Sequence, residues 1–174
     1  MSKNSSIRFL VLGFLFLFIG INTTAQKFHF DNYNVKEGLA QSSVYAIAQD
    51  KSGELWLGTA SGLSRFDGKE FINYTTEDGL ADGSVRAIHI DSTGNMWLGH
   101  TNGGVTRLKN GKFEIMLNMS ADITSFCEDD EGNLWVSSHG EGALKVSDFY
   151  NAEINKINFK QYKGQEGLSD LVFQ

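Results

Sequence analysis

The chain has 174 residues, with 15 Lys and Arg against 21 Asp and Glu and a formal net charge of −6. That balance, with no Lys/Arg cluster, argues against nucleic acid and anionic lipid as partners. The single cysteine, Cys127, leaves no internal disulfide, so a packed core must hold the fold. Nineteen glycines and no proline point to many short strands joined by tight turns.

The first 25 residues read as a secretory signal peptide. Lys3 and Arg8 give a basic start, Phe9 to Ile21 is an uncharged apolar run, and Thr23 and Ala25 place small residues before a cut ahead of Gln26. The run is shorter than the roughly 20 apolar residues a spanning helix needs. Cleavage removes two basic residues and leaves 13 basic against 21 acidic, a net −8 for an exported or periplasmic product with no stable membrane span.

Residues 27–34 carry Phe30 and Tyr33 eight and five residues before Gly38. Phe71 and Tyr74 hold the same offsets from Gly79, and Phe159 and Tyr162 from Gly167. Residues 27–34 are therefore expected to be an outer strand without the three strands that should precede it.

A tryptophan phrase then recurs. Asp50, Gly53 and Trp56, Asp91, Gly94 and Trp97, and Asp129, Gly132 and Trp135 keep identical spacing. The tryptophans lie 41 and 38 residues apart, the period of one supersecondary unit copied in tandem. In each copy a β-branched segment (VYAIAQD, VRAIHID, ITSFCED) leads into the Asp-x-x-Gly turn. There Asp bonds the amides ahead of it and Gly takes a positive φ. The tryptophan strand follows, then a glycine-rich link and a third strand. Asp67-Gly68 and Asn110-Gly111 signal two-residue hairpins into a fourth strand. Four short antiparallel strands per forty residues make a β-propeller blade.

The predicted fold is thus all-β, with blades over 35–74, 75–117 and 118–162 and a further repeat opening at 163–174. Three whole blades and partial ones fall short of a comfortable ring, so an incomplete or open propeller is expected. Its open blade faces would favour self-association. The tryptophans, mid-strand, are expected to pack between blades, and Cys127 to be a buried, inert thiol. His89 is expected to be a satisfied interior histidine.

From Glu37-Gly38-Leu39 through Asp50, Gly53, Leu55-Trp56-Leu57-Gly58-Thr59 and Phe66-Asp67-Gly68, the chain resembles the two-component regulator propeller repeat. The copy from Gly79-Leu80 to Trp97-Leu98-Gly99 matches nearly as well. The third is degenerate, with Ser137 for the glycine and an insertion around 147–156. The resemblance implies the extracytoplasmic sensor half of a hybrid two-component system, often glycan-responsive, with further blades, a β-sandwich, a membrane helix and a kinase expected beyond an N-terminal fragment such as this. The function implied is non-catalytic ligand sensing.

In a propeller the links from strand four to strand one and from strand two to strand three share one rim. That rim carries Gln41, Ser42, Asp82, His100, Asn102, His139 and Glu141, with Tyr45 and Arg86 near the channel mouth. Such side chains suit a hydroxyl-rich ligand. His100 and His139 stand at matching positions in adjacent blades, but their spacing is not a metal motif. The acidic run Glu128–Glu131 lacks the alternating ligands of a calcium loop. No metal or cofactor is expected. An exported propeller lyase or hydrolase would have to draw on His100, His139 and Glu141. A structural interaction arc is the third reading.

Overall fold

The computed structural model describes residues 30–151 and 157–163. The chain divides into residues 1–32 and 33–174. Of the first unit only 30–32 are described, and they carry no helix or strand. The signal-peptide segment with its cleavage site and the repeat expected at 164–174 lie outside the described residues. So do residues 27–29 of the expected outer strand, and residues 30–34 are not in a strand. No helix among the described residues is long and apolar enough to cross a membrane.

Among its described residues the second unit holds three four-stranded antiparallel sheets, each running in chain order from its inner to its outer strand. Blade 1 is β1 (Val44–Gln49), β2 (Leu55–Thr59), β3 (Gly62–Phe66) and β4 (Phe71–Tyr74). Blade 2 is β5 (Val85–Ile90), β6 (Met96–His100), β7 (Gly104–Lys109) and β8 (Lys112–Asn118). Blade 3 is β9 (Ile123–Glu128), β10 (Leu134–Ser138), β11 (Gly142–Val146) and β12 (Phe159–Tyr162). The register repeats with the sequence: Ala48 pairs Trp56, His89 pairs Trp97, and Cys127 pairs Trp135.

Alternation along β6 explains how the blades stack. Met96 and Leu98 point to one side and join Trp56, Leu63, Leu80 and Val85 in a core between blades 1 and 2. Trp97 points to the other side, into a core with Val105, Ile123, Leu134, Val136 and Phe149 between blades 2 and 3. A fully buried side chain of this size contributes about 1.5–3 kcal/mol, so the two seams hold the three sheets together. Trp56 and Trp97 lie between blades as expected. Trp135 is only half buried, because no described blade covers its side of blade 3. Cys127 pairs with Trp135 on that same side and is exposed, contrary to the expectation of a buried thiol. His89 is half buried, and its Nε2 is a buried atom with no hydrogen-bond partner among the described residues, so it is not the satisfied histidine expected.

The entry to blade 1 copies the entry to blade 2. Asn34 caps the 3-10 turn Val35–Glu37, and Thr75 caps Thr76–Asp78, both with a capping box and a left-handed glycine, Gly38 or Gly79, at the end. Tyr33 then meets the Phe71 ring at 5.9 Å, as Tyr74 meets Phe113 at 5.2 Å. The shared offsets of Tyr33 and Tyr74 in the sequence therefore carry a shared packing role.

Candidate functional site

The tryptophan phrase builds a structural clamp. Each Asp accepts the indole N–H of its own Trp: Asp50 from Trp56 at 2.8 Å, Asp91 from Trp97 at 2.9 Å, Asp129 from Trp135 at 2.7 Å. The same carboxylates take the amides of Ser52 and Glu54, of Thr93 and Asn95, and of Glu131 and Asn133. Gly53, Gly94 and Gly132 close these turns at φ 92°, 93° and 76°. Burial pushes the Asp50 and Asp91 carboxyls up, but their hydrogen bonds outweigh it and hold both below the ordinary value. At Asp129 the Asn133 amide leads in lowering the carboxyl to about 2. The acidic run is thereby accounted for, since Glu128 bonds the Ser92 amide and hydroxyl of blade 2 at 3.0 and 2.8 Å.

The tryptophan faces are occupied by the protein itself. Arg65, Arg107 and Lys145 lie 5.8, 5.6 and 5.6 Å from the ring centroids of Trp56, Trp97 and Trp135. Tyr74 and Tyr162 stack on Trp56 and Trp135, and Phe149 meets Trp97 edge-on.

The open surface belongs to the inner strands. In each blade the pairing of the inner strand skips one residue: Val44 and Ala46 pair onward but Tyr45 does not, and Arg86 and Thr124 are skipped in the same way. Such a bulge leaves the extra residue out of the ladder and re-aims its side chain. Three bulges at one repeat position set out Tyr45, Arg86 and Thr124, all exposed. The row is connected from blade to blade. Arg86 Cζ lies 5.5 Å from the Tyr45 ring centroid, and its Nη1 donates to Asp122 Oδ2 at 2.8 Å. Thr124 and Ser137 share a hydroxyl hydrogen bond of 2.8 Å.

Asp122 escaped the sequence reading. It stands thirteen residues before Trp135, as Ser43 and Ser84 stand before theirs; that offset was the signal that could have found it.

The other candidates separate into two groups. Gln41 accepts from the Ser43 amide and Asp82 from the Ser84 amide and the Asn102 side-chain amide, so they serve chiefly to staple their own loops. Ser42, Asn102 and His139 are exposed, and the His139 amide donates to the Asp122 carbonyl at 2.9 Å. Glu141 pairs with Lys163 at 2.7 Å, and that lysine holds its carboxyl below the usual range.

His100 is not on the rim. It is fully buried, with Nε2 2.9 Å from Thr106 Oγ1 and Nδ1 3.2 Å from the Ser84 carbonyl. That carbonyl only accepts, so Nδ1 carries the proton and Thr106 donates to Nε2. Burial pushes the imidazole below its ordinary value. The reason is register: His100 is three residues after its tryptophan, level with Thr59 and Ser138, whereas His139 is four after and level with Ala60 and Thr101. One residue along a strand reverses the face. His100, His139 and Glu141 share no hydrogen bond with one another; their bonds run to Ser84 and Thr106, to Asp122 and to Lys163.

Comparison with known proteins follows the blades. The family model of the two component regulator propeller matches residues 38–61, 79–102 and 119–140, once per blade. Histidine kinase P4 of Formosa agariphila is 46% identical over 63 residues, 36% of this chain and 5% of that one. The extracellular domain assigned to a hybrid two component system of B. thetaiotaomicron superposes with a TM-score of 0.66 at 21% identity, over 78% of this chain and 20% of that one. Virginiamycin B lyase from Staphylococcus aureus gives 0.60 at 15% identity, over 82% of this chain and 48% of that one. These two likenesses show the propeller fold, and the chain spans 5% of the kinase, 20% of the extracellular domain and about half of the lyase. With one matched repeat on each of its three blades, the chain belongs to the two component regulator propeller family.

Proposed function

We propose that this chain is an extracytoplasmic ligand-sensing part of a two-component signalling protein and that it takes an oligosaccharide on the inner-strand row. The observation that carries this is the triple bulge presenting Tyr45, Arg86 and Thr124 from three consecutive blades. Tyr45, about half exposed, supplies a ring for a sugar face. The Arg86–Asp122 pair and the Thr124–Ser137 pair supply donors and acceptors for hydroxyls. Because the row crosses two blade seams, a ligand bridging it favours one packing of the blades over another, which is what a sensor needs to shift a population. The signal peptide expected at residues 1–25 accords with export, and Histidine kinase P4 supports a kinase as the output partner.

The test is a glycan array followed by calorimetry on the exported protein, with Tyr45→Ala and Arg86→Ala as the site variants. Each should weaken binding at least about tenfold, close to 1.4 kcal/mol, while His139→Ala on the outer part of the rim changes little. Unchanged affinity in both site variants would remove the row from the binding site. An array without a bound glycan would remove the oligosaccharide.

A further inference from the structure

One position of the repeat is used differently in blade 3. Ser43, Ser84 and Asp122 each stand thirteen residues before their tryptophan. Each gives its backbone carbonyl to the link after the tryptophan strand: Ser43 to the Ala60 amide at 3.1 Å, Ser84 to Thr101 at 3.4 Å, Asp122 to His139 at 2.9 Å. That shared role needs no particular side chain, and serine serves it in two of the three blades. The carboxylate of Asp122 is therefore surplus to the fold of its own blade. Ser84 Oγ accepts from the Thr101 hydroxyl inside blade 2 at 2.8 Å, whereas Asp122 reaches across a seam to Arg86.

Arg86 is the one cation among the three bulge residues Tyr45, Arg86 and Thr124. Unopposed, its guanidinium would present a fork of N–H donors matched to a carboxylate or a sulfate. Asp122 holds Nη1 at 2.8 Å and cancels the charge, with the two side chains 43% and 31% exposed. An anionic group brought to Arg86 thus meets a carboxylate beside it, and like charges that close repel. Hydroxyls carry no such penalty, since they can donate to Asp122 and accept from Arg86 at once.

We propose that Asp122 is a charge filter, admitting uncharged oligosaccharides to the inner-strand row and excluding chains that bear carboxylate or sulfate. The filter rests on the reading of the row as a glycan site and adds the class of glycan. Asp122 acts through Arg86, and serine, the residue of the other two blades, removes the filter while keeping the backbone bond.

The experiment sets one array of neutral, uronate and sulfated oligosaccharides against the wild type, Asp122→Ser, and Asp122→Ser combined with Arg86→Ala. The wild type should retain neutral members only. Asp122→Ser should bind anionic members at least about tenfold more tightly than the wild type does, and the gain should shrink as NaCl rises from about 0.05 to about 0.5 M. Adding Arg86→Ala should abolish it. Asp122→Asn, which drops the charge and keeps the shape, should give the same gain. The urea midpoint of Asp122→Ser should stay near the wild-type value, because an exposed ion pair contributes little to stability. Wild-type binding of anionic members on a par with neutral ones would overturn the filter, as would the absence of any gain in both Asp122 variants. A gain in the variants with no glycan held by the wild type would keep the filter and overturn the oligosaccharide reading of the row instead.

Discussion

Asp91 and Trp97 stand six residues apart and meet inside the protein, the indole N–H donating to Asp91 Oδ2 at 2.9 Å. The carboxylate also takes the Thr93 hydroxyl at 2.7 Å and the Asn95 side-chain amide at 3.1 Å. One residue thus closes the turn between β5 and β6, orients the tryptophan, and fixes the seam between blades 2 and 3. Asp91→Ala leaves a buried indole donor and several turn donors without their acceptor. The expected cost is about 2–4 kcal/mol, read from urea unfolding. Thr93→Ala, which removes only one of the donors, should cost about 1 kcal/mol.

Acid should weaken the protein through these clamps. The carboxyls of Asp50, Asp91 and Asp129 all lie below their ordinary value of 3.8 in the folded chain, Asp129 at about 2. Ionisation therefore favours the native state. The contribution is complete above the unfolded value near 3.8 and is lost as pH falls through the folded values. A urea midpoint followed from pH 5 to about 2 should fall, and Asp129→Asn should flatten part of that fall.

His100 works in a higher window. Burial lowers its folded pKa below 6.5, so the neutral ring belongs to the native state. Its contribution is present above the unfolded value and is lost as pH drops below it, because the unfolded state then binds the extra proton. Thr59 shows that a hydroxyl serves the same position in blade 1, where its Oγ1 donates to the Gly62 carbonyl at 2.9 Å. His100→Thr should therefore remove most of the decline in urea midpoint just below pH 6.5 that the wild type shows.

The blades were legible because each carries its own ruler. The Asp, Gly and Trp positions fix a turn and the strand after it, and strict alternation then fixes which side chains reach the neighbouring blade. Tyr45 and Arg86 were also legible, as early inner-strand residues. The bulge that turns them outward was not, since it appears only in the pairing of two strands. His100 was misplaced by one residue of register, which in a strand is the difference between rim and core. Cys127 matches Ala48 and His89 in the first strand of a blade, which is the ground for expecting it buried; it is exposed because no described blade faces it. The Asp-to-indole bond lay hidden in plain spacing: six residues around a tight turn return the indole to the carboxylate.

The insertion that makes blade 3 degenerate in sequence completes blade 2. Trp56 and Trp135 each stack on a tyrosine of their own outer strand, Tyr74 opposite Leu63 and Tyr162 opposite Ala143. In blade 2 the residue opposite Val105 is Leu117, which brings no ring. Trp97 instead meets Phe149, fully buried, at 5.6 Å. Beside it Tyr150 bonds Glu128, lies 3.0 Å from the Ser92 hydroxyl, and accepts Lys109 Nζ on its carbonyl at 3.4 Å. The turn Phe149–Asn151 therefore straps blade 3 to blade 2. Phe149→Ala should cost about 3–5 kcal/mol in urea unfolding. Adding Leu117→Tyr, which restores the ring that blades 1 and 3 carry, should recover about 1 kcal/mol of that loss. A double variant no more stable than Phe149→Ala would mean that the strap supplies more than an aromatic partner for Trp97.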